Sequence, residues 1–283
     1  MGNTIKPVRL CTTTYNRIDM VKPSVMSWLD QLDESLYELY IIDNGSTDGT
    51  AEWVEEVARS TPHVSAILVS QNLGTAIALN LGWRGAKEWQ ILGKLDSDIV
   101  LNTPGVLSRM MAVFDAMPDV GILGLRRKDL IEHPNHENPW YRSQYLYPKI
   151  NDEVIWLEQC HHIMGSFQVY NDATLGKFGY LVQPSLYGWD DALASIRMTK
   201  LGFRNCFLRG WDDVEVSISH IDHGEGDGTD VANAEYTRWK HIHAGDTYDK
   251  YMQMASDYAE GRRPCYEGFD ADAYREYIIR VVE

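Results

Sequence analysis

From Val8 to Asp98 the chain repeats one unit, a short apolar run followed by a polar turn and a helical stretch. This alternation limits the possible folds more than any other feature. Val8 to Thr13, Tyr37 to Ile42, Val64 to Val69 and Ile91 to Leu95 read as strands. Met20 to Leu32 and Thr50 to Arg59 read as helices between the first three, with Pro23 near enough to a helix start to be tolerated. Before the fourth strand, Ala78, Leu81, Gly82, Gly85, Ala86 and Trp89 recur on one helical face. The glycines of that face permit close approach of the helix to a sheet. The pattern predicts an α/β fold with a mostly parallel central sheet and helices on both faces. In such sheets ligands bind beyond the carboxyl ends of the strands. The loops expected there are Thr12 to Arg17, Asp43 to Asp48 and Asp96 to Asp98, which would meet at one edge.

The rest of the chain is less regular. Residues 125–160 carry Pro134, Pro139 and Pro148 among many aromatics and read as an insertion or lid, before a return to the sheet near Cys160 to Tyr170. Gly188 to Leu201 resembles a helix entered through Trp189-Asp190-Asp191, and Val214 to Ser219 a late strand. After Gly224 a Gly/Asp-rich loop leads into polar, Tyr-rich stretches read as a helical extension over 224–283.

Charge narrows the partners. The chain has 26 basic against 41 acidic residues, a formal net charge of −15, and no Lys/Arg run of the kind that captures nucleic acid. A nucleic-acid acceptor is therefore disfavoured, and the acidity suits recruitment of a divalent cation. No apolar run reaches the ~18 residues of a membrane-spanning helix. The four cysteines, Cys11, Cys160, Cys206 and Cys265, are too scattered for a zinc pairing and read as reduced thiols, which fits a cytoplasmic setting.

Asp96 and Asp98 stand one residue apart directly after an apolar strand. A hard cation such as Mn²⁺ or Mg²⁺ prefers carboxylate oxygens and keeps positions open for a substrate phosphate. Asp43 to Thr50 is rich in Asp, Asn, Gly and Ser, the residues of turns and helix caps. A calcium loop fails there, because the twelfth residue from Asp43 is Val54 where a bidentate Glu is needed. A dinucleotide-dependent dehydrogenase fails as well, since no Gly-x-Gly-x-x-Gly follows the first strand. A nucleotidyltransferase would carry a Gly-rich phosphate loop at that place, and Thr12 to Arg17 contains no Gly.

The succession Thr12-Thr13-Thr14-Tyr15-Asn16-Arg17, Ile41-Ile42-Asp43-Asn44-Gly45-Ser46-Thr47-Asp48-Gly49-Thr50, Asn72-Leu73-Gly74 and Leu95-Asp96-Ser97-Asp98 resembles the family 2 glycosyltransferases, which have the GT-A fold. Gly188-Trp189-Asp190-Asp191 extends the likeness to about residue 223, so 1–223 reads as the catalytic domain, with a nucleotide-binding half over 1–100 and an acceptor half over 101–223. The resemblance implies transfer of a sugar from a nucleotide-diphosphate-sugar, commonly a UDP-sugar, to a glycan or other hydroxyl acceptor with inversion. It implies that Thr12 and Tyr15 line the nucleoside pocket and that Asp43 accepts a hydrogen bond from the base. Arg17, Asn72, Gly74 and Lys94 belong to the same donor-binding motifs. Asp96 would lie by ribose and metal, and Asp98 would be the direct metal ligand. In the acidic pair the second member, Asp191, would be the base that takes the acceptor's proton, and Asp190 would position the acceptor. The family often carries another acid two positions after the pair, where this chain has Leu193. Some relatives place a metal-binding His after a late strand; His220 matches that place better than His223. His161 and His162 are adjacent, so on an extended segment at most one faces the site. A non-catalytic nucleotide-sugar or glycan-binding protein on the same scaffold is the alternative, and it predicts loss of a metal carboxylate or of the base.

Overall fold

The computed structural model describes residues 7–128, 144–221 and 247–283. The first four strands form as the apolar runs predict: β1 (Val8–Thr14), β2 (Tyr37–Asp43), β3 (Val64–Val69) and β4 (Ile91–Asp96). Helices α1 (Ile18–Gln31), α2 (Thr50–Ser60) and α3 (Thr75–Trp83) connect them. β2, β1 and β4 pair in parallel, with Thr14 level with Asp43 and Thr13 level with Asp96. Three strand ends therefore finish side by side, which gathers their polar loops at one edge.

Beyond β4 come β5 (Ile99–Leu101), α4 (Val106–Ala116), β6 (Val120–Leu125), β7 (Gln144–Leu146), β8 (Lys149–Ile150) and β9 (Glu153–Gln159). They are followed by β10 (Phe167–Tyr170), α5 (Asp172–Phe178), α6 (Asp190–Lys200), β11 (Arg204–Trp211), β12 (Val214–Glu215) and β13 (Ile218–His220). The chain closes with α7 (Thr247–Ala259), a 3₁₀ turn (Ala271–Tyr277) and β14 (Ile278–Val282). The main sheet runs β14-β3-β2-β1-β4-β10-β6-β11-β9-β7. β10 is antiparallel to both β4 and β6, so the loop entering it returns to the edge where β4 ends.

Side chains alternate across the pleat, and the two faces bury separate cores. Leu10, Leu39 and Ile41 pack with Val25, Trp28, Val54 and Met110 of α1, α2 and α4. Cys11 and Ile42 point the other way and pack with Ala78 and Leu79 of α3 and with Ala194 and Met198 of α6. Central strands covered on both sides are nearly all buried, as a parallel core requires. A Cβ at Gly82 would stand 2.7 Å from Cys11 Sγ, so α3 does approach the sheet closely there.

Five expectations need correction. The helix expected to reach Trp89 stops at Trp83, because Gly85 adopts φ +78° and turns the chain; Trp89 is exposed. Gln144 to Gln159 is not an irregular lid: β9 pairs along β11 and β7 along β9, extending the sheet, while 129–143 lies outside the described residues. The return to the sheet is confined to Phe167–Tyr170, and the late strand is split, since Val216 N–H donates to Arg209 C=O between β12 and β13. The C-terminal extension is only partly helical. It ends in β14, whose β-branched run Ile278-Ile279-Arg280-Val281-Val282 pairs antiparallel with β3.

Candidate active site

The strand ends open into a cleft of about 400 Å³ lined by Thr13, Arg17, Lys94, Asp96, Asp98, His162, Gly165, Trp189, Asp190, Asp191 and His220, among others. A smaller recess beside it is lined by Thr13, Thr14, Tyr15, Asn44, Asn72 and Tyr187. Of the residues expected at the nucleoside, Tyr15 lines this recess, whereas Thr12 is fully buried in β1 and its neighbour Thr13 faces the cleft.

The loops on this side are knit together mainly by hydrogen bonds between neutral groups. Thr47 N–H donates to Asn16 Oδ1 at 2.8 Å, and Asn16 N–H donates to Ser46 Oγ at 2.9 Å. Asn44 donates to Asn72 Oδ1 at 3.0 Å and accepts from Leu73 N–H at 2.9 Å. Asn72 thus fixes the turn in which Gly74, at φ +86°, leads into α3. Asp43 lies behind this surface, 1% exposed, its Oδ2 accepting from Ser46 N–H at 3.0 Å. Burial pushes its carboxyl above the usual range, opposed by the Ser46 and Gly45 hydrogen bonds. Asp43 Oδ1 and the Oγ1 atoms of Thr12, Thr13 and Thr14 are buried without a hydrogen-bond partner among the described residues.

At the cleft's centre, ligand atoms of Asp96, Asp98 and His220 lie within 4.8 Å of one another. β13 explains how a distant histidine arrives: it pairs antiparallel with β5, setting His220 opposite Ile99, and Ile221 N–H donates to Asp98 C=O at 2.8 Å. His220 Nε2 stands 3.2 Å from Asp98 Oδ1, and Arg17 Nη1 is 2.8 Å from Asp98 Oδ2. Burial pushes the Asp96 carboxyl up to about 6, with Asp98, Asp190 and Asp191 adding to the rise and Lys94 opposing it. Two carboxylates and an imidazole form a donor set that fits Mn²⁺ better than the oxygen-preferring Mg²⁺, and the crowding of acids favours a bound cation. His223 lies outside the described residues.

The opposite wall carries the acidic pair at the start of α6. Trp189, held at φ +69°, turns the chain so that Asp190 and Asp191 both enter the cleft. Lys94, expected at the donor, instead makes a buried ion pair of 2.5 Å with Asp190 Oδ2. Asp191 Oδ2 accepts from Gly165 N–H at 2.8 Å and lies 3.2 Å from His162 Nε2, while Oδ1 accepts from Ala192 N–H at 2.7 Å. Burial alone would raise the Asp191 carboxyl, but His162, Lys94 and the Ala192 N–H hold it well below the usual carboxylate range. His162 was signalled only by the doubled histidine: His161 is exposed and His162 faces the acid.

The family described as glycosyl transferase family 2 matches residues 10–178, more than half of the chain. The chain belongs to that family. An undecaprenyl-phosphate 4-deoxy-4-formamido-L-arabinose transferase of Proteus mirabilis is 33% identical over 111 residues, covering 39% of this chain and 31% of the relative. A putative teichuronic acid biosynthesis glycosyltransferase of Bacillus subtilis is 31% identical over 91 residues, covering 32% and 35%. The chain thus spans about a third of the length of these relatives. Among solved structures, a Pyrobaculum calidifontis mannosyltransferase in complex with GDP-Man and Mn²⁺ superposes with TM-score 0.62 at 17% identity, covering 97% of this chain and 68% of that one. Residues 1–349 of S. aureus TarS in complex with UDP-GlcNAc give TM-score 0.61 at 16% identity, covering 90% and 66%. The fold is that of the GT-A glycosyltransferases. Among the described residues, no helix is long and apolar enough to cross a membrane.

Proposed function

We propose that this chain transfers a sugar from a nucleotide-diphosphate-sugar, of the UDP-sugar class, to an acceptor hydroxyl with inversion, assisted by Mn²⁺ or Mg²⁺. The observation that carries the reading is the juxtaposition of Asp96, Asp98 and His220 with Asp190 and Asp191 across one cleft. A family relationship alone would leave the chemistry open, because function resides in the site.

In this reading the nucleoside enters the recess beside Tyr15, where Thr13 and Thr14 line the wall, and Asp43, just behind it, accepts from the base once the nucleoside is seated. Asp96, Asp98 and His220 hold the cation, which when bound offsets the charge growing on the diphosphate leaving group. Arg17 fixes the Asp98 carboxylate from the opposite oxygen. Asp191 takes the acceptor's proton as its oxygen attacks the anomeric carbon. Asp190, neutralised by Lys94, orients the acceptor without adding an unbalanced charge. We assign catalysis to residues 1–223 and the shaping of the acceptor side to 224–283, as α7 packs Tyr251 against Trp189 at a ring distance of 4.2 Å. The related mannosyltransferase structure holds GDP-Man with Mn²⁺, which supports a metal-assisted donor site.

The test is to incubate the protein with UDP- and GDP-sugars, Mn²⁺ and a panel of hydroxyl acceptors, following nucleoside diphosphate by ³¹P NMR and product configuration by ¹H NMR. An α-linked donor yielding a β-linked product agrees with the proposal. A retained configuration contradicts inversion, and tight donor binding with no turnover favours the non-catalytic alternative.

A further inference from the structure

We propose that His162 is the proton store behind Asp191: the acceptor's proton passes to the Asp191 carboxylate and comes to rest on His162 Nε2. This rests on the reading of Asp191 as base and adds to it a residue that acts through that base, a positioning residue in the transfer.

The geometry is built rather than incidental. His162 lines the cleft with its side chain 22% exposed, and its Nε2 is 3.2 Å from Asp191 Oδ2. The segment carrying it is fastened to the helix that carries Asp191. Ile163 N–H donates to Ser195 Oγ at 3.1 Å, and that hydroxyl donates to the Asp191 C=O at 2.9 Å. Ile163 C=O accepts from Gln168 Nε2 at 2.6 Å, and His162 C=O accepts from Cys160 Sγ at 3.1 Å. A side chain at position 165 would begin 3.3 Å from Asp191 Oδ2 and 2.8 Å from Lys94 Nζ, so Gly165 is what lets its N–H reach the carboxylate. Both Asp191 oxygens are therefore fixed, and the imidazole is held against one of them.

The charges around the ring decide where a proton settles. Asp191 and Asp190 face His162 from α6, Lys94 faces it from β4, and Cys160 lies on its own segment. Tyr251 of α7 stands beside Asp191. Burial disfavours the imidazolium, yet the two carboxylates override it and raise the ring above its ordinary value of 6.5. The imidazolium–carboxylate pair is thus the favoured protonated state. With His162 neutral, its Nε2 lone pair facing Asp191, the acceptor O–H gives its proton to the carboxylate. The acceptor oxygen bonds to the anomeric carbon as the sugar–phosphate bond breaks, its electron pair leaving with the diphosphate. The proton then moves from Asp191 to Nε2, restoring the carboxylate. A His162 that is already protonated blocks this relay and holds Asp191 as a weak base. The transfer rate should accordingly rise with pH through the elevated His162 titration, with an acid limb centred above 6.5.

Two measurements decide the matter. The His162 imidazole is titrated by NMR in the full chain and in Asp191→Asn, with no substrate present. The expected midpoint lies above 6.5 and falls in the variant; a midpoint at or below 6.5, or one that Asp191→Asn leaves unmoved, overturns the proposal. In parallel, kcat is followed against pH for His162→Gln, which can donate to Asp191 but cannot take up its proton. We expect kcat to fall on the order of 10²-fold, donor affinity to stay unchanged, and the acid limb to move below pH 6.5. An acid limb that stays in place overturns the proposal. A wild-type chain that turns over no donor counts instead against Asp191 as base, and the substrate-free titration then decides the pairing by itself.

Discussion

The two walls of the cleft are stabilised by different means. On the donor wall, the loops after β1, β2 and β3 are held mainly by hydrogen bonds among Asn16, Asn44, Ser46, Thr47 and Asn72, with one buried ion pair, Arg17 to Asp98, at the border with the cleft's centre. On the acceptor wall, buried charge does the holding: Lys94 against Asp190, and His162 against Asp191. The first arrangement is a rigid receptor with its polar atoms left over for a ligand. The second places charged partners where a proton must move, and buried charges are costly unless paired. The donor wall should therefore tolerate loss of a single group in its fold but not in its binding. The acceptor wall should show the reverse pattern in stability.

The sharpest way to break this contrast is Asp191→Asn. It removes the base while keeping the shape, and transfer should fall by about 10²–10⁴-fold with donor affinity unchanged in calorimetry. A comparable loss of donor binding would erase the distinction between the walls. Lys94→Met comes next. It leaves Asp190 buried without its 2.5 Å partner, so the folded state should lose about 3–5 kcal/mol in denaturant titration. A loss under about 1 kcal/mol, the value of an exposed pair, would mean the acceptor wall is not held by buried charge. The smallest expected effect belongs to the shared sheet beneath both walls. A Cβ at Gly93 would stand 2.5 Å from Leu10 Cδ2 and 3.1 Å from Val169 Cγ1, so Gly93→Ala should cost about 1–3 kcal/mol. Its donor affinity and pH profile should match those of the parent chain.

The walls also differ in how far the sequence discloses them. β1 to β4 were legible to within a residue at each end, because apolar runs bounded by turn residues report strands locally. The Asp43 to Thr50 and Asp96-Ser97-Asp98 loops follow those strands directly, so their meeting at one edge follows from parallel pairing. Thr12 and Thr13 show the limit of that reading: which of two neighbours faces the cleft depends on the pleat, and Thr13 does. The acceptor wall joins residues far apart in the chain. Lys94 meets Asp190 across 96 positions, and His162 meets Asp191 because β10 runs antiparallel beside β4. No local pattern announces such pairings, although the doubled His161-His162 hinted at one. β9 and β14 leave no local signal for the same reason: their partners, β11 and β3, lie far away in sequence. His220 was legible as a residue after a β-like run, but its route to Asp98 through β5 was not.

We propose above that Asp96, Asp98 and His220 form a cation-dependent donor site. The direct measurement is a thermal-shift titration of the wild-type chain and of Asp98→Ala with UDP- and GDP-sugars, in Mn²⁺, in Mg²⁺ and in chelator. At a donor concentration near 100 times its dissociation constant, the wild type should gain about 2.7 kcal/mol of stability with metal and little in chelator, and Asp98→Ala should lose the metal dependence. Equal stabilisation with and without metal, or metal dependence unchanged in Asp98→Ala, would contradict the account.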